Sequence, residues 1–356
     1  MKSFIVKGIA IALLLSGCSA QERLSYEREN EAQVQPVIGH EVIAEHLELP
    51  WSIAKYGDII YLTEKKGSIV KIENGLAERQ RVELEKPLTS ASETGLFGFV
   101  LAPDFPVSNL AYAYYTYEES PGQYNRIVTL RLDANVWKEE SVLLDRILSG
   151  VYHNGGRLEI GPDGMLYATV GDAFESANAQ NANLLGGKIL RMNLDGSIPS
   201  DNPFPNSYVY SYGHRNPQGM DWSPDGSFYA TEHGNRANDE VNLIEAAQNY
   251  GWPIIEGDEQ QEDMVSPLFT SGSDETWAPS GLAYSDNMLY VAALRGSAVI
   301  QFDLETGERH EIVSGLGRIR DVFVEDGILY FISNNTDGRG QLQENDDKLY
   351  KIKLSS

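Results

Sequence analysis

From residue 40 onward the chain runs in short stretches that alternate apolar and polar positions with a period of two, separated by turn residues. That period marks strands with one face buried. The stretches repeat one pattern: a turn containing Gly, Asp or Asn, then a strand bearing an apolar–aromatic pair. In chain order the pairs are Ile60-Tyr61, Ala111-Tyr112, Leu166-Tyr167, Phe228-Tyr229, Leu289-Tyr290 and Leu329-Tyr330. Their tyrosines lie 51, 55, 62, 61 and 40 residues apart. A further strand often follows a polar turn, as at residues 68–72, 127–132, 189–192 and 299–302. The turns Pro162-Asp163-Gly164, Pro224-Asp225-Gly226 and Asp326-Gly327 precede tyrosine strands; Asp opens such a turn and Gly accepts its positive φ. Helical periodicity is scarce, and residues 243–247 amount to one turn at most.

A repeat of roughly fifty residues made only of strands predicts an all-β fold, a six-bladed β-propeller with four-stranded antiparallel blades, over residues 39–356. Residues 348–354 can pair with the strand near residues 41–44 and so join the last blade to the first. A pair of β-sandwiches is the competing architecture, but six units in continuous register with no linker disfavour it.

The segment before the repeats reads differently. Lys2 and Lys7 precede a short uncharged run that ends in Leu15-Ser16-Gly17-Cys18. Eight apolar residues are too few to span a bilayer, which takes about twenty. A charged start, a greasy stretch and small residues at its end read as a secretory signal over residues 1–17. Leu-Ser-Gly-Cys resembles the bacterial lipobox, which implies lipidation of Cys18 and an extracytoplasmic, lipid-anchored protein. Residues 18–38 are polar and aperiodic, a solvated tether. Cys18 is the only cysteine of the 356 residues, so no intrachain disulfide can form. With 52 acids against 28 bases the net charge is −24, which argues against a nucleic-acid surface. The 42% apolar content supports a sizeable core.

In a propeller the binding residues come from loops at one end of the channel. Tyr152-His153-Asn154-Gly155-Gly156-Arg157 offers two glycines for close backbone approach and an exposed histidine suited to act as a general base. A hairpin turn with a surface histidine fits the same letters. Gly213-His214-Arg215-Asn216-Pro217, Leu294-Arg295-Gly296 and Gly317-Arg318-Ile319-Arg320-Asp321 place arginines on loops of three repeats. Arg318 and Arg320, two apart on extended chain, share a face. Any one of them could merely pair with an acid; the set suggests an anionic ligand, since guanidinium forks suit carboxylates and phosphates. Glu232-His233-Gly234-Asn235, Asn238-Asp239-Glu240 and Asn249-Tyr250-Gly251-Trp252-Pro253 supply oxygen donors fitted to a hard cation such as calcium. No zinc spacing, phosphate loop or nucleophile elbow is present.

These motifs, in order with Gly95-Leu96-Phe97-Gly98, Pro103-Asp104-Phe105, Gly187-Lys188-Ile189-Leu190-Arg191 and Asp201-Asn202-Pro203-Phe204, resemble the soluble aldose sugar dehydrogenases that use pyrroloquinoline quinone (PQQ). The resemblance runs from about residue 50 to the C-terminus. It implies that His153 is the base for the sugar's anomeric hydroxyl and that Arg215 and Asn216 contact the cofactor. It further implies that Arg318 and Arg320 hold the cofactor's carboxylates, with Arg295 where some members have lysine. One calcium would be held by the carbonyls of Gly234 and Asn235, and a second by Glu240 and the carbonyl of Tyr250. Asp239 and Glu240, being adjacent, would face opposite ways. Glu93 stands where relatives have a Gln that contacts the cofactor; a carboxylate there repels an anionic quinone unless it is protonated or turned away. Asn235 replaces the usual Pro, and Tyr152 an acid that precedes the base in some members. The resemblance leaves the electron acceptor unnamed and puts specificity in the loops 118–124 and 257–264. Two other readings stay open: a calcium-dependent lactonase-type hydrolase on a similar propeller, and a non-catalytic propeller binding module.

Overall fold

The computed structural model describes Met1 and residues 39–89 and 93–354. The signal, tether and Cys18 readings fall outside the described residues. Among the described residues no helix is long and apolar enough to cross a membrane.

The strands form six blades of four antiparallel strands each. The first strands of the blades are Pro50–Tyr56, Leu96–Leu101, Leu158–Ile160, Pro217–Trp222, Pro279–Ser285 and Ile319–Glu325. Each packs against the first strand of the next blade, and the sixth returns to the first, so these strands ring the axis. Every tyrosine pair falls on the second strand of its blade: Ile59–Glu64, Leu110–Glu119, Leu166–Val170, Phe228–Glu232, Met288–Ala293 and Ile328–Ser333. The fourth strand of blade 6 is Glu41–Ala44, which pairs with Leu349–Lys353 in the register Glu41 to Lys351. The expected closure therefore forms, with the N-terminal strand as the outer edge of the last blade. The outer strands of blades 1 and 2, Leu76–Glu83 and Val136–Leu148, also pair in parallel and fuse those blades into one eight-stranded sheet. The anticipated turn at residues 243–247 is not helical; Leu243 and Ile244 end the strand Glu240–Ile244.

The core explains the sequence pair. Six apolar clusters fill the six spaces between adjacent blades. Side chains on a strand alternate faces, so the apolar residue enters the space before its blade and the tyrosine the space after it. Ile60 packs between blades 6 and 1, and Tyr61 between blades 1 and 2. Leu289 and Tyr290 divide in the same way around blade 5. Hydroxyls stitch neighbours together: Thr63 Oγ1 donates to Phe97 O (2.7 Å) and Thr231 Oγ1 to Ser280 O (2.6 Å). On the axis, Arg157 of blade 3 forms a two-pronged ion pair with Asp321 of blade 6 (2.9 and 3.0 Å). Its guanidinium lies 4.4 Å from the Trp51 ring, and Asp321 also accepts the Ile53 N–H at 2.8 Å. This buried bridge spans the channel and floors the space above it.

Candidate active site

Above that floor opens a cavity of about 1020 Å³. Its walls are the loops that leave the second strands and those that enter the first strands, on one end of the propeller. His153, Glu93, Arg215, Asn216, Gly234, Asn235, Arg295, Arg318 and Arg320 all line it, so the structure brings nine of the sequence-derived site residues together. Glu240 and Tyr250 do not line it.

His153 is held in an unusual backbone state, with φ of 60°, and is followed by Gly155 at 62° and Gly156 at 105°. A Cβ on Gly155 would lie 2.6 Å from Thr169 O, so the turn needs glycine there. The Asn154 side chain pins the loop, donating to Glu93 O (2.8 Å) and Gly150 O (3.0 Å) and accepting from Ser149 Oγ (2.7 Å). The Asn216 amide oxygen accepts the Gly155 N–H at 3.0 Å. The expected exposed histidine is in fact nearly buried, at 9% accessibility, because this loop folds into the channel. Its Nδ1 lies 2.8 Å from Asp172 Oδ1. Asp172 is fully buried and also accepts from Phe174 N (2.8 Å) and Trp252 Nε1 (2.9 Å), which fixes the carboxylate from three sides. A proton held on Nδ1 by that carboxylate leaves Nε2 as the basic nitrogen. Asp172 thus supplies the orienting acid that Tyr152, the residue before the base, does not.

Seven cationic side chains line the cavity against two carboxylates. Arg318 is anchored by Asp337 (3.0 Å) and Leu294 O (3.2 Å). Arg320 makes only long contacts, 3.4 Å each, to Gln218, Ser280 and Asn334, and its Nε has no partner. Burial, with the Arg318 charge beside it, pushes Arg320 down to about 9. Burial, with Arg320 nearby, pushes Lys65 down to about 8. Arg215 reaches His233 O (3.2 Å) and the Trp252 ring (5.3 Å), with Nε unpartnered and its pKa lowered by burial. His233 is pushed down to about 3 by burial and is neutral, with its Nε2 unpartnered. A crowd of buried cations with idle N–H groups is strained electrostatically until an anion arrives.

Glu93 neither turns away nor keeps a proton. Burial raises its carboxyl, but the Arg339 guanidinium at 2.8 Å, backed by Arg320, outweighs that and holds it below the usual range. Arg339 was not visible as a site residue in the sequence, and neither were Asp172, Lys65 or Asp337. The loops 118–124 and 257–264 contribute nothing to the cavity wall. Tyr152, Phe174 and residues 339–343 form its mouth, together with Arg236 and Arg295.

Gly234 and Asn235 sit on a loop tied down by Asp239. That carboxylate accepts from Gly234 N (2.9 Å), Thr276 Oγ1 (2.8 Å), Trp277 N (2.6 Å) and Ala278 N (2.9 Å). A Cβ on Gly234 would collide with Ala237 O at 2.0 Å. Glu240 points elsewhere, as expected from its adjacency to Asp239, and accepts from Gly257 N (3.0 Å) and Asn242 Nδ2 (3.1 Å). It lines a narrow cleft with Glu232 and Glu256. Burial and the Glu232 charge raise its carboxyl to about 8. The Tyr250 hydroxyl is engaged by Leu243 O (2.7 Å) and Glu245 N (2.8 Å), and its ring stacks on His214, leaving only its carbonyl for an ion.

A propeller whose axial cavity joins a histidine–carboxylate dyad to idle guanidinium groups is built to act on one ligand beside a bound anion. The family comparison narrows this class. The chain belongs to the family described as Glucose / Sorbosone dehydrogenase, which matches residues 47–344, and it is an enzyme of that type. It is 28% identical over 342 residues to the aldose sugar dehydrogenase YliI of Escherichia coli, covering 84% of this chain and 90% of that one. It is 34% identical over 231 residues to quinoprotein glucose dehydrogenase B of Acinetobacter calcoaceticus, covering 56% and 48%. It superposes on the PQQ-bound aldose sugar dehydrogenase of Streptomyces coelicolor with a TM-score of 0.83 at 32% identity, over 88% of this chain and 98% of that one.

Proposed function

We propose that this enzyme oxidises the anomeric hydroxyl of aldose sugars to lactones, with PQQ as hydride acceptor and calcium beside it. The observation that carries the reading is the His153–Asp172 pair opening onto a cavity of underemployed guanidinium groups. PQQ is a quinone bearing carboxylates, and the idle N–H groups of Arg215 and Arg320 fit such an anion; when bound, it supplies the electrophilic carbonyl that takes the hydride. Arg318 and Arg320 would hold its carboxylates, with Arg295 at the rim. Asn216 and Arg215 would contact the ring system, where a fixed cation stabilises charge developing in the transition state. The carbonyls of Gly234 and Asn235 would hold one calcium, whose charge polarises a bound oxygen. A second calcium at Glu240 would replace the proton that its crowded carboxyl retains.

The chain's own share of the chemistry is proton handling. His153 Nε2 takes the proton of the C1 hydroxyl as the C1–H electron pair departs, and Asp172 stabilises the imidazolium that forms. The lactonase alternative needs an ion caged by side-chain carboxylates near the axis. Among the described residues no group of three or more His, Cys, Asp or Glu side chains could form one, and Arg157–Asp321 closes the axis. The same proposal includes an extracytoplasmic enzyme lipid-anchored at Cys18 after loss of residues 1–17, supported by the Leu-Ser-Gly-Cys motif.

The test is to load purified protein with PQQ and calcium, follow cofactor binding by absorbance, and measure dye reduction across a panel of aldoses. His153→Ala keeps cofactor binding and lowers turnover at least ~100-fold. Absence of both PQQ binding and dye reduction refutes the proposal, and a binding module without chemistry would bind PQQ weakly or not at all.

A further inference from the structure

Lys188 opens the third strand of blade 3, Lys188–Met192, and is fully buried. Among the described residues no carboxylate pairs with it. Its ammonium instead donates to three carbonyls, Asn178 O (2.8 Å), Ala179 O (2.9 Å) and Gly186 O (2.6 Å). Taking a lone ammonium out of water is costly, and neutral acceptors offset that only in part. Burial alone pushes the group down to about 7. The ionisable groups of the elements around it are held elsewhere or make no bond to it. Asp172 pairs with His153, His214 pairs with Glu232, and neither Glu175 of the loop nor Tyr212 of the paired strand reaches the ammonium. A methionine would fill the same space without the charge, so the charge itself calls for a reason.

The three carbonyls share one destination. Asn178 reaches back with its side-chain amide to donate to Asp172 O (2.9 Å). Ala179 O also accepts the Gly213 N–H (3.0 Å), at the start of the segment that leads to Arg215, and Arg215 O accepts the Asp172 N–H (2.8 Å). Gly186 precedes Gly187, whose N–H donates to Gly171 O (2.9 Å), next to Asp172. All three paths end at the backbone of the acid that orients His153. Close packing leaves the loop little slack: a Cβ on Gly171 would lie 2.1 Å from His153 O, and one on Gly187 2.5 Å from His214 O.

We propose that Lys188 is a positioning residue for the oxidation, a single internal cation that clamps the loop 171–187 and so aims the His153–Asp172 pair. The inference rests on the sugar dehydrogenase reading for its effect on rate, while the tautomer of His153 tests it independently of any turnover. The clamp depends on protonation. An ammonium has three N–H bonds for three carbonyls, whereas the neutral amine has two and leaves one carbonyl facing a lone pair. The grip is therefore complete while Lys188 is charged and slackens as rising pH removes its proton.

The test compares wild type with Lys188→Met, which removes the clamp, and Asn178→Ala, which cuts one strut and keeps the cage. Stopped-flow reduction of the enzyme loaded with PQQ and calcium gives the rate with an aldose. Nitrogen NMR of histidine-labelled protein, with or without cofactor, reads which ring nitrogen of His153 holds the proton. At about pH 6, Lys188→Met slows cofactor reduction about thirtyfold and Asn178→Ala about threefold, with KM and PQQ affinity within about twofold of wild type. The wild-type rate falls about threefold or more between about pH 6 and about pH 9, and Lys188→Met lacks that fall. His153 keeps its proton on Nδ1 in wild type and divides between tautomers in both variants. Variants that melt earlier yet keep the wild-type rate, pH profile and tautomer assign Lys188 to packing and overturn the inference. If Lys188→Met does not fold, a wild-type rate and tautomer in Asn178→Ala overturn it. No turnover of any sugar refutes the dehydrogenase reading, and the tautomer then decides this inference by itself.

Discussion

Replacing Asp172 by Asn isolates the part of the site that turns a buried histidine into a base. The carboxylate accepts from His153 Nδ1, Phe174 N and Trp252 Nε1 at 2.8, 2.8 and 2.9 Å. An amide of the same shape has one accepting oxygen. With that oxygen toward His153 and Phe174, its NH₂ meets the Trp252 N–H, and one buried hydrogen bond is lost. With the amide reversed, its NH₂ faces Nδ1, which then gives up its proton, so that Nε2 carries one and cannot act as base. In either orientation the negative charge that steadies the imidazolium is gone. A hydrogen bond to a charged group is worth about 1.5–3 kcal/mol, and the wrong tautomer costs more in turnover. The expected result is a fall in kcat of ~10²–10⁴-fold with PQQ affinity within about twofold of wild type. Trp252→Phe deletes the same indole hydrogen bond but spares the charge, and should cost about tenfold or less. Stopped-flow reduction of the loaded enzyme reads the step directly. If Asp172→Asn keeps more than half of the wild-type rate, the dyad argument is wrong.

Other perturbations probe the remaining electrostatics. Arg339→Gln strips Glu93 of its counter-charge and should weaken PQQ binding about tenfold in a spectroscopic titration, with Glu93→Gln restoring it in the double variant; unchanged affinity in the single variant removes Arg339 from the account. Arg157→Met leaves Asp321 buried without its cation and should lower stability by about 3–5 kcal/mol in urea, whereas a loss below about 1 kcal/mol would mean that water reaches the axis. Glu159, two residues beyond Arg157, is pushed up to about 8 by burial, with Arg157 opposing. A carboxyl raised above its unfolded value near 4.5 stabilises the fold below that value and loses its contribution as pH rises through 8. Glu159→Gln should therefore match wild type at pH 5 and exceed its stability at pH 9 by on the order of 2 kcal/mol, and equal stability at both values would contradict the shift.

The blade count was legible because each second strand is apolar on both faces, one residue for each neighbouring space, and such a pair cannot be mistaken for a surface strand. The motif loops converge on the channel because loops of equivalent position share one end of a closed ring. Asp172, Lys65 and Arg339 escaped notice because their meaning lies in partners from other loops. A positional signal did exist: Lys65 and His233 follow their strand tyrosines by four residues, and Asp172 and Arg295 by five. That offset carries the chain from the interblade space to the mouth. Arg339 has no such counterpart, since it sits in the long loop between Ile328–Ser333 and Leu349–Lys353. The loop 118–124 joins the two long strands Leu110–Glu119 and Gly122–Asp133, and none of its residues lines the cavity.

The ring is sealed by partners roughly 300 residues apart, Glu41 and Lys351. A ribosome must finish the whole chain before the final wedge can exist, so the nascent protein emerges as an unclosed fan. Loss of the residues before Glu41 leaves the zipper intact. Nicking a few residues further would expose Leu349–Lys353 as a bare β-edge, open to the spare strand of a sister molecule. For this fold, the line between a closed ring and one open to self-association is drawn within a handful of peptide bonds.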